Sequence, residues 1–131
     1  MNKLTYSIKN IFKEDQRDRK MVKAGTLDHK TLHVKNGIRR EMIRKIVKNK
    51  DKEISGADCF YAAIPFHHSH QKAHLKMALK LAKESVNRGY QRGKKLVMAV
   101  EDRICLTRGI PQKYDTQLVL RNRKFVRYKT K

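Results

Sequence analysis

Apolar residues recur three or four positions apart along most of the chain, which is the spacing of one face of an α-helix. In the first such stretch, residues 3–24, the apolar positions are Leu4, Ile8, Ile11, Phe12 and Val22. The same spacing predicts four further helices, over residues 36–49, 57–67, 71–88 and 92–108. The sequence therefore predicts a chain built mainly from α-helices.

Turn-forming residues mark where these helices are expected to begin and end. Gly25, Gly89 and Gly109 follow the first, fourth and fifth helices, and glycine is common just past a helix C-terminus. Asn36 is the expected N-cap of the second helix, and residues 25–35 are expected to form a loop before it. The apolar face of this second helix, which is expected to be buried, consists of Ile38, Met42, Ile43, Ile46 and Val47.

The pattern changes after Pro111. The next residues are polar, and the last segment alternates apolar and polar side chains, which predicts two short strands about Arg121. We therefore expect a mainly α fold: a small bundle of about four to five helices with a short C-terminal β hairpin or an extended tail. The expected organisation is a single domain, 1–131, with a helical core over about 3–109, a polar loop at 110–117 and a basic tail at 118–131.

The composition argues against several classes of protein. The longest apolar runs are far shorter than the roughly 20 residues that a membrane-spanning helix needs. The N-terminus lacks the continuous apolar stretch and the cleavage site of a secretory signal. Cys59 and Cys105 stand alone among apolar residues, so we expect buried thiols in the cytoplasm or another reducing intracellular compartment.

The charge of the chain points to its partners. Lys and Arg number 33 and Asp and Glu number 12, which gives a net charge of +21 and a pI near 10.3. A chain with that charge repels itself, so a polyanionic partner is expected. Nucleic acid, as RNA or single-stranded DNA, is the first candidate and an anionic membrane surface is the second. The alternative is a lysine-rich protein without such a partner.

Two basic surfaces are the expected nucleic-acid-binding sites. A ridge on one side of the fourth helix consists of Lys72, Lys76, Lys80 and Lys83. The cations of the tail include Arg121, Arg123, Lys124, Arg127 and Lys129. Phe125 and Tyr128 lie among them, and basic residues interleaved with aromatic rings are typical of proteins that bind RNA or single strands. The alternatives are a solvated helix face and a tail that serves only solubility.

Ionisable residues also fall on helix faces that are otherwise apolar. On a helical wheel, Asp15 lies near the centre of the apolar arc of the first helix, and Arg19 lies within that arc. In the fifth helix Arg103 lies inside the apolar arc and Asp102 near its edge, and His68 follows the third helix on its apolar side. Because an unpaired buried charge is unfavourable, these groups are expected to meet. They form either ion pairs that fix helix register or a polar pocket shared with the polar loop.

His70 and His74 lie one helical turn apart, which is a spacing found in zinc sites. No Cys, Asp or Glu in that segment completes a ligand set, so exposed histidines at a helix start are the preferred interpretation. Neither a metal site nor a cofactor is predicted, and the chain has no phosphate-binding glycine loop.

Four short motifs follow one another along the chain: Asp15-Gln16-Arg17-Asp18-Arg19, His67-His68, Asp102-Arg103, and Gly109-Ile110-Pro111-Gln112-Lys113-Tyr114-Asp115-Thr116-Gln117. Over about residues 8–118 their order resembles a mainly bacterial family, the domain of unknown function numbered 6624. In two places this chain departs from the family pattern: His67 replaces a Gln, and Asp115 replaces a Gly. The site residues that the resemblance implies are Asp15, Arg19, His68, Asp102, Arg103, Gln112, Tyr114, Thr116 and Gln117. The resemblance implies no reaction.

The leading hypothesis is a basic helical protein that binds nucleic acid, or an assembly containing it, mainly through phosphate contacts. The alternative is an enzyme of hydrolase or transferase type that acts on a small polar or phosphorylated ligand. His68 would then be the general acid or base, oriented by Asp15 or Asp102. Arg19 and Arg103 would clamp an anionic ligand. The other ligand-binding residues would be Gln112, Tyr114, Thr116 and Gln117.

Overall fold

The computed structural model of the protein describes residues 3–50, 53–69, 71–121 and 124–127. Within these residues the helices are α1 (Lys3–Lys23), α2 (His29–Lys50), α3 (Gly56–His67), α4 (Lys72–Asn87) and α5 (Gly93–Thr107). They are followed by the strands β1 (Leu118–Arg121) and β2 (Lys124–Arg127), which pair antiparallel. The expected mainly α bundle is confirmed. None of the described helices is both long enough and apolar enough to cross a membrane.

α3 is the central helix of the bundle and packs against each of the other four helices. Its Ala62, Ala63 and Phe66 are fully buried. The surrounding helices complete the core with side chains that include Ile8, Ile11, Ile43, Ala78, Leu81 and Val100. The core is therefore modest in size and is organised around a short apolar helix.

Both ends of α3 are fixed by hydrogen bonds. The Ser55 hydroxyl accepts the backbone N–H of Asp58 at 3.1 Å, as an N-cap residue does. Pro65 lies within the last turn, and the helix continues past it to His67. His68 is the C-cap residue, and its backbone N–H donates to carbonyls of that last turn. The two histidines are therefore placed at the C-terminal end of the central helix.

α2 begins earlier than its sequence pattern predicts. The prediction that Asn36 is the N-cap is wrong, because the helix starts at His29. Asp28 precedes that start, and its carboxylate accepts the backbone N–H of Thr31 at 2.6 Å. Asn36 lies inside the helix instead, where its side-chain oxygen accepts a hydrogen bond from Arg39 at 2.9 Å. The loop before α2 is correspondingly shorter than expected.

The buried face of α2 is largely polar. Asn36, Arg39 and Arg40 are 5%, 5% and 7% exposed, and Ile43 lies beside them at 1%. The apolar side chains of α2 that remain exposed are Val34, Ile38 and Met42, at 57%, 58% and 48%. The prediction that Ile38 and Met42 belong to the core is therefore wrong. Ion pairs to α1, and not apolar packing alone, decide which side of α2 faces inward.

α4 and α5 approach closely at Gly93. A Cβ atom on Gly93 would lie 2.0 Å from the hydroxyl of Ser85 and 3.0 Å from Cγ2 of Val86. The Ser85 hydroxyl is buried and donates to the carbonyl of Ala82 at 2.6 Å, so moving it breaks that bond. The missing side chain of Gly93 is therefore what allows the two helices to pack here.

Gly93→Ala is expected to lower the free energy of unfolding by about 1–3 kcal/mol, because the added methyl group overpacks the contact with α4. Gly37→Ala in α2 is the matched control, since the nearest heavy atom to its new Cβ is Arg40 Nη2 at 3.9 Å. There alanine should stabilise the protein by about 0.5–1 kcal/mol through helix propensity. Urea unfolding of both variants is the measurement, and effects of the same sign would contradict the packing argument.

Candidate functional site

A group of charged and imidazole side chains gathers where α1, α2, the end of α3 and α5 meet. We call it the inner cluster; its members are Asp15, Asp18, Arg19, Lys35, Arg39, Arg40, His67, His68 and Arg103. Each member is linked to another by an ion pair, by a hydrogen bond to neighbouring backbone or by electrostatic interaction.

Asp15 is the centre of the inner cluster and is fully buried. Its Oδ1 lies 3.3 Å from Nε of Arg19 and 3.9 Å from Nη1 of Arg39. Its Oδ2 lies 3.6 Å from Nδ1 of His68. The structure thus brings His68, from the end of α3, to Asp15 and Arg19, which lie one turn apart on α1.

Asp18 is a second buried carboxylate, which the sequence analysis missed. It pairs with the guanidinium of Arg39, and its Oδ2 lies 2.9 Å from Nζ of Lys35. Asp18 follows Asp15 by three positions and so shares its helix face, which was a usable signal. Arg39 and Arg40 gave no such signal, because the apolar residues of α2 mark a different face.

The cations of the inner cluster keep both carboxylates ionised. Burial alone would raise the pKa of Asp15, but the adjacent His68 and Arg19 bring that pKa below its usual value. Burial would likewise raise the pKa of Asp18, and Arg39 and Lys35 lower it below the usual value. Both acids are therefore charged at neutral pH, and their contacts are ion pairs.

His67 and His68 are neutral imidazoles at neutral pH. Burial and the charge of Arg103 lower the pKa of His67 to about 3. Burial also lowers the pKa of His68, and the neighbouring Asp15 only partly opposes this. The Nδ1 atoms of both rings are buried and have no hydrogen-bond partner in the described part of the chain. A neutral His68 suits a proton acceptor better than a proton donor.

Arg40 and Arg103 contact the C-terminal end of α3. Nη1 of Arg103 donates to the carbonyl of His67 at 2.5 Å, and Nη1 of Arg40 donates to the carbonyl of Pro65 at 3.4 Å. The last carbonyls of a helix lack intrahelical donors and carry partial negative charge, so cations are favourable there. These contacts tie α2 and α5 to the central helix.

Asp102 belongs to a different arrangement, in which it anchors the polar loop. Its fully buried carboxylate accepts the backbone N–H groups of Lys113, Tyr114 and Thr116 at 2.7, 2.9 and 2.9 Å. It also accepts the Thr116 hydroxyl at 2.7 Å. Burial would raise the pKa of Asp102, but these hydrogen bonds, led by those from Thr116, lower it below the usual value.

The polar loop is held by its own side chains as well. Oε1 of Gln112 accepts the backbone N–H of Gln117 at 2.9 Å. Nε2 of Gln117 donates to the carbonyl of Ala99 at 3.3 Å and to the hydroxyl of Thr116 at 3.1 Å. Asp115 has a φ of 55°, in the left-handed region. The loop is therefore a folded structure fastened to α5.

Because the polar loop covers part of α5, the buried side of α5 differs from the side that its helical wheel predicts. The wheel puts Arg103 inside the apolar arc and Asp102 at its edge, whereas Asp102 is 0% exposed and Arg103 is only half-buried. The loop after Gly109 turns back over α5 and covers Asp102. The predicted residues therefore divide into two groups. Asp15, Arg19, His68 and Arg103 lie in the inner cluster, whereas Asp102, Gln112, Tyr114, Thr116 and Gln117 form or anchor the loop.

A basic groove of about 610 Å³ runs between α4 and α5. The cations that line it are Lys72, Lys76, Lys83, Arg108 and Lys113. Apolar lining is supplied by Leu75, Leu79, Ile104, Cys105 and Ile110. Lys80 is exposed on the same ridge of α4 but does not line the groove. The five tail cations predicted to bind nucleic acid lie outside the residues whose side chains the structure describes.

Within the described residues, no group of three or more His, Cys, Asp and Glu side chains is placed to hold a metal ion. His74 Nδ1 lies 2.6 Å from the Ser69 hydroxyl, so this ring nitrogen is engaged in a hydrogen bond. His70 lies outside the described residues.

No family model matches the chain, and neither the curated proteins nor the solved structures include a significant match to it. The resemblance to the domain of unknown function numbered 6624 rests on the four motifs alone and stays a prediction.

Asp102→Asn is expected to lower the free energy of unfolding by about 2–4 kcal/mol, since hydrogen bonds to a charged group contribute about 1.5–3 kcal/mol each. The amide NH₂ also replaces an acceptor that faces backbone N–H groups, which can only donate. Glu101→Gln is the matched control, because it removes only a surface pair with Lys113 at 3.2 Å. Its effect should stay below about 1 kcal/mol.

The pH dependence of this difference gives a second measurement. The pKa of Asp102 is lower in the folded protein than the ordinary aspartate value of 3.8. Its stabilisation is therefore fully present above pH 3.8 and is lost as the pH falls through the folded-state pKa. The free energy of unfolding of the wild type exceeds that of Asp102→Asn, and this difference, measured by urea unfolding, should shrink in that acidic range. A difference that stays constant there would contradict the role of the carboxylate.

Proposed function

We propose that the protein binds single-stranded nucleic acid, RNA or DNA, through phosphate contacts in the groove between α4 and α5. The observation that carries this proposal is the arrangement of five cations around an apolar floor. Phosphate neutralisation by Lys and Arg provides most of the affinity in such binding and requires no base-specific contact.

The charge of the groove remains positive after internal pairing. Glu101 is the one acid that lines it, and Nζ of Lys113 lies 3.2 Å from the Glu101 carboxylate. Lys72 and Lys76 lie one turn apart on α4, and both are exposed. Four cations thus remain for an external anion, which is enough to follow several phosphates of a strand.

The apolar floor favours a single strand over a duplex. Leu75, Leu79 and Ile104 lie between the cations, and Ile110 is 45% exposed at the edge. A duplex presents phosphates and hides its base faces, whereas a single strand can set sugars and bases against apolar surface. Tyr114 is 43% exposed and lines a neighbouring surface with Lys83 and Lys94, where a base can stack.

The enzyme alternative has less support. Three groups that would position a ligand are engaged in hydrogen bonds within the loop or to α5: Gln112, Thr116 and Gln117. Asp102 is occupied by the same loop and does not orient His68.

Cys59 and Cys105 are buried free thiols, which supports the cytoplasm or another reducing intracellular compartment as the place of action.

Salt-dependent binding tests the groove directly. The probe is a labelled single strand of about 20 nucleotides, with fluorescence anisotropy read between about 50 and 200 mM salt. Replacing Lys72, Lys76 and Lys83 by Gln should reduce the slope of log K against log salt by about 2. It should weaken binding about 100-fold at about 0.1 M salt.

The control replaces Lys20, Lys23 and Lys30 by Gln, which removes the same charge from exposed positions outside the groove. This variant should keep most of the slope. If both triple variants lose affinity equally, the groove is not the binding surface. If the wild type binds with no dependence on salt, phosphate neutralisation is excluded.

A further inference from the structure

The inner cluster carries more positive charge than its own acids can neutralise. Its cationic side chains are Arg19, Lys35, Arg39, Arg40 and Arg103, and its carboxylates are Asp15 and Asp18. With both histidines neutral, five positive charges stand against two negative ones. Arg40 holds part of this excess out of water, at 7% exposure, where charge is unfavourable unless it is compensated.

The ion pairs show which cations remain. Asp18 pairs with Arg39 and Lys35, and the shortest ion pair of Asp15 is the one with Arg19. Across the described residues, no carboxylate lies within 4.0 Å of a nitrogen of Arg40 or Arg103. Within the described residues, the hydrogen-bond acceptors that these two guanidiniums contact are the backbone carbonyls of Pro65 and His67, and a carbonyl supplies only a partial charge.

Arg40 and Arg103 lie in surroundings that disfavour a charged guanidinium. Arg40 is only 7% exposed, and its Nε is buried without a hydrogen-bond partner in the described structure. Burial lowers the pKa of Arg40, and the charge of Arg19 opposes the effect of Asp15 on it. Burial and the nearby Arg19 also lower the pKa of Arg103. Arg40 and Arg103 hold carbonyls at the end of α3, and Arg19 pairs with Asp15, which lies beside His68 at that same end. The three guanidiniums therefore lie around one end of α3.

We propose that Arg19, Arg40 and Arg103, together with His68, form a binding site for a small oxyanion such as phosphate or a carboxylate. Guanidinium groups bond to oxyanions through paired N–H donors, and His68 lies beside them with Nδ1 3.6 Å from Oδ2 of Asp15. The side chains of Arg19 and His68 are 33% and 23% exposed, so the site opens to solvent on their side. Arg40 is only 7% exposed, so an anion that reaches its guanidinium must be small.

This site is separate from the groove and does not depend on nucleic-acid binding. The experiment measures inorganic phosphate by isothermal titration calorimetry and by the rise in melting temperature, with chloride replacing phosphate at constant ionic strength. Phosphate should bind the wild type and raise its melting temperature by mass action. Acetate, titrated in parallel, shows whether a singly charged carboxylate suffices.

Arg19→Gln is the test variant, because Arg19 makes no contact with the α3 carbonyls that Arg40 and Arg103 hold. Arg19 also pairs with the buried Asp15, so the affinity of the folded variant is measured by calorimetry and not from its melting temperature. Its phosphate affinity should fall about 10- to 100-fold, as loss of a charge-assisted hydrogen bond predicts. Arg19→Lys keeps the charge without the paired donors and should lose less. Arg17→Gln on the same helix is the matched control, since Arg17 is exposed and outside the inner cluster.

Two results would overturn this site. One is a phosphate effect on melting temperature no larger than that of chloride. The other is equal loss of phosphate affinity in Arg17→Gln and Arg19→Gln, which would show general charge attraction only. The variant with Lys72, Lys76 and Lys83 replaced should still bind phosphate. Failure of nucleic-acid binding is thereby distinguished from failure of the small-anion site.

Discussion

A carboxylate that leaves water must be surrounded by donors, and this constraint shapes the whole bundle. Asp15, Asp18 and Asp102 are 0%, 2% and 0% exposed. Each is satisfied in part by another segment of the chain: Asp15 and Asp18 by α2 and the end of α3, Asp102 by the polar loop. The apolar core brings the helices together, and these buried acids fix how they are aligned.

The same constraint links the interior to the basic surface. Asp102 holds the backbone of Lys113, so a buried acid on α5 places a cation at the edge of the groove. Under the proposed function the polar loop contributes by its folding, while its Gln and Thr side chains bond within the loop and to α5. Under our two proposals the protein binds two kinds of anion: a nucleic-acid strand in the groove and a small oxyanion in the inner cluster.

Much of the helical architecture was predictable from periodicity, and four of the five helices begin and end within one or two residues of their expected limits. The position of Asp15 and Arg19 on one buried face was also predictable, because it depends only on helix geometry. The roles of Asp102 and Arg103 were not, because the loop that follows α5 turns back and covers one side of the helix. The start of α2 was missed because the N-cap at Asp28 was not recognised.

α2 shows most clearly why hydrophobicity alone misassigns a helix face. Turning Ile38 and Met42 inward would bury apolar surface, but it would also turn Arg39 and Arg40 away from α1 and the end of α3. Asp15 and Asp18 would then be buried with fewer cations, and removing a partner from a buried charge costs about 3–5 kcal/mol. Burying one such side chain contributes about 1.5–3 kcal/mol. Leaving Asp15 and Asp18 without their partners would therefore cost at least as much as burying Ile38 and Met42 would gain. This is why α2 turns its arginines to the interior and leaves apolar residues in water.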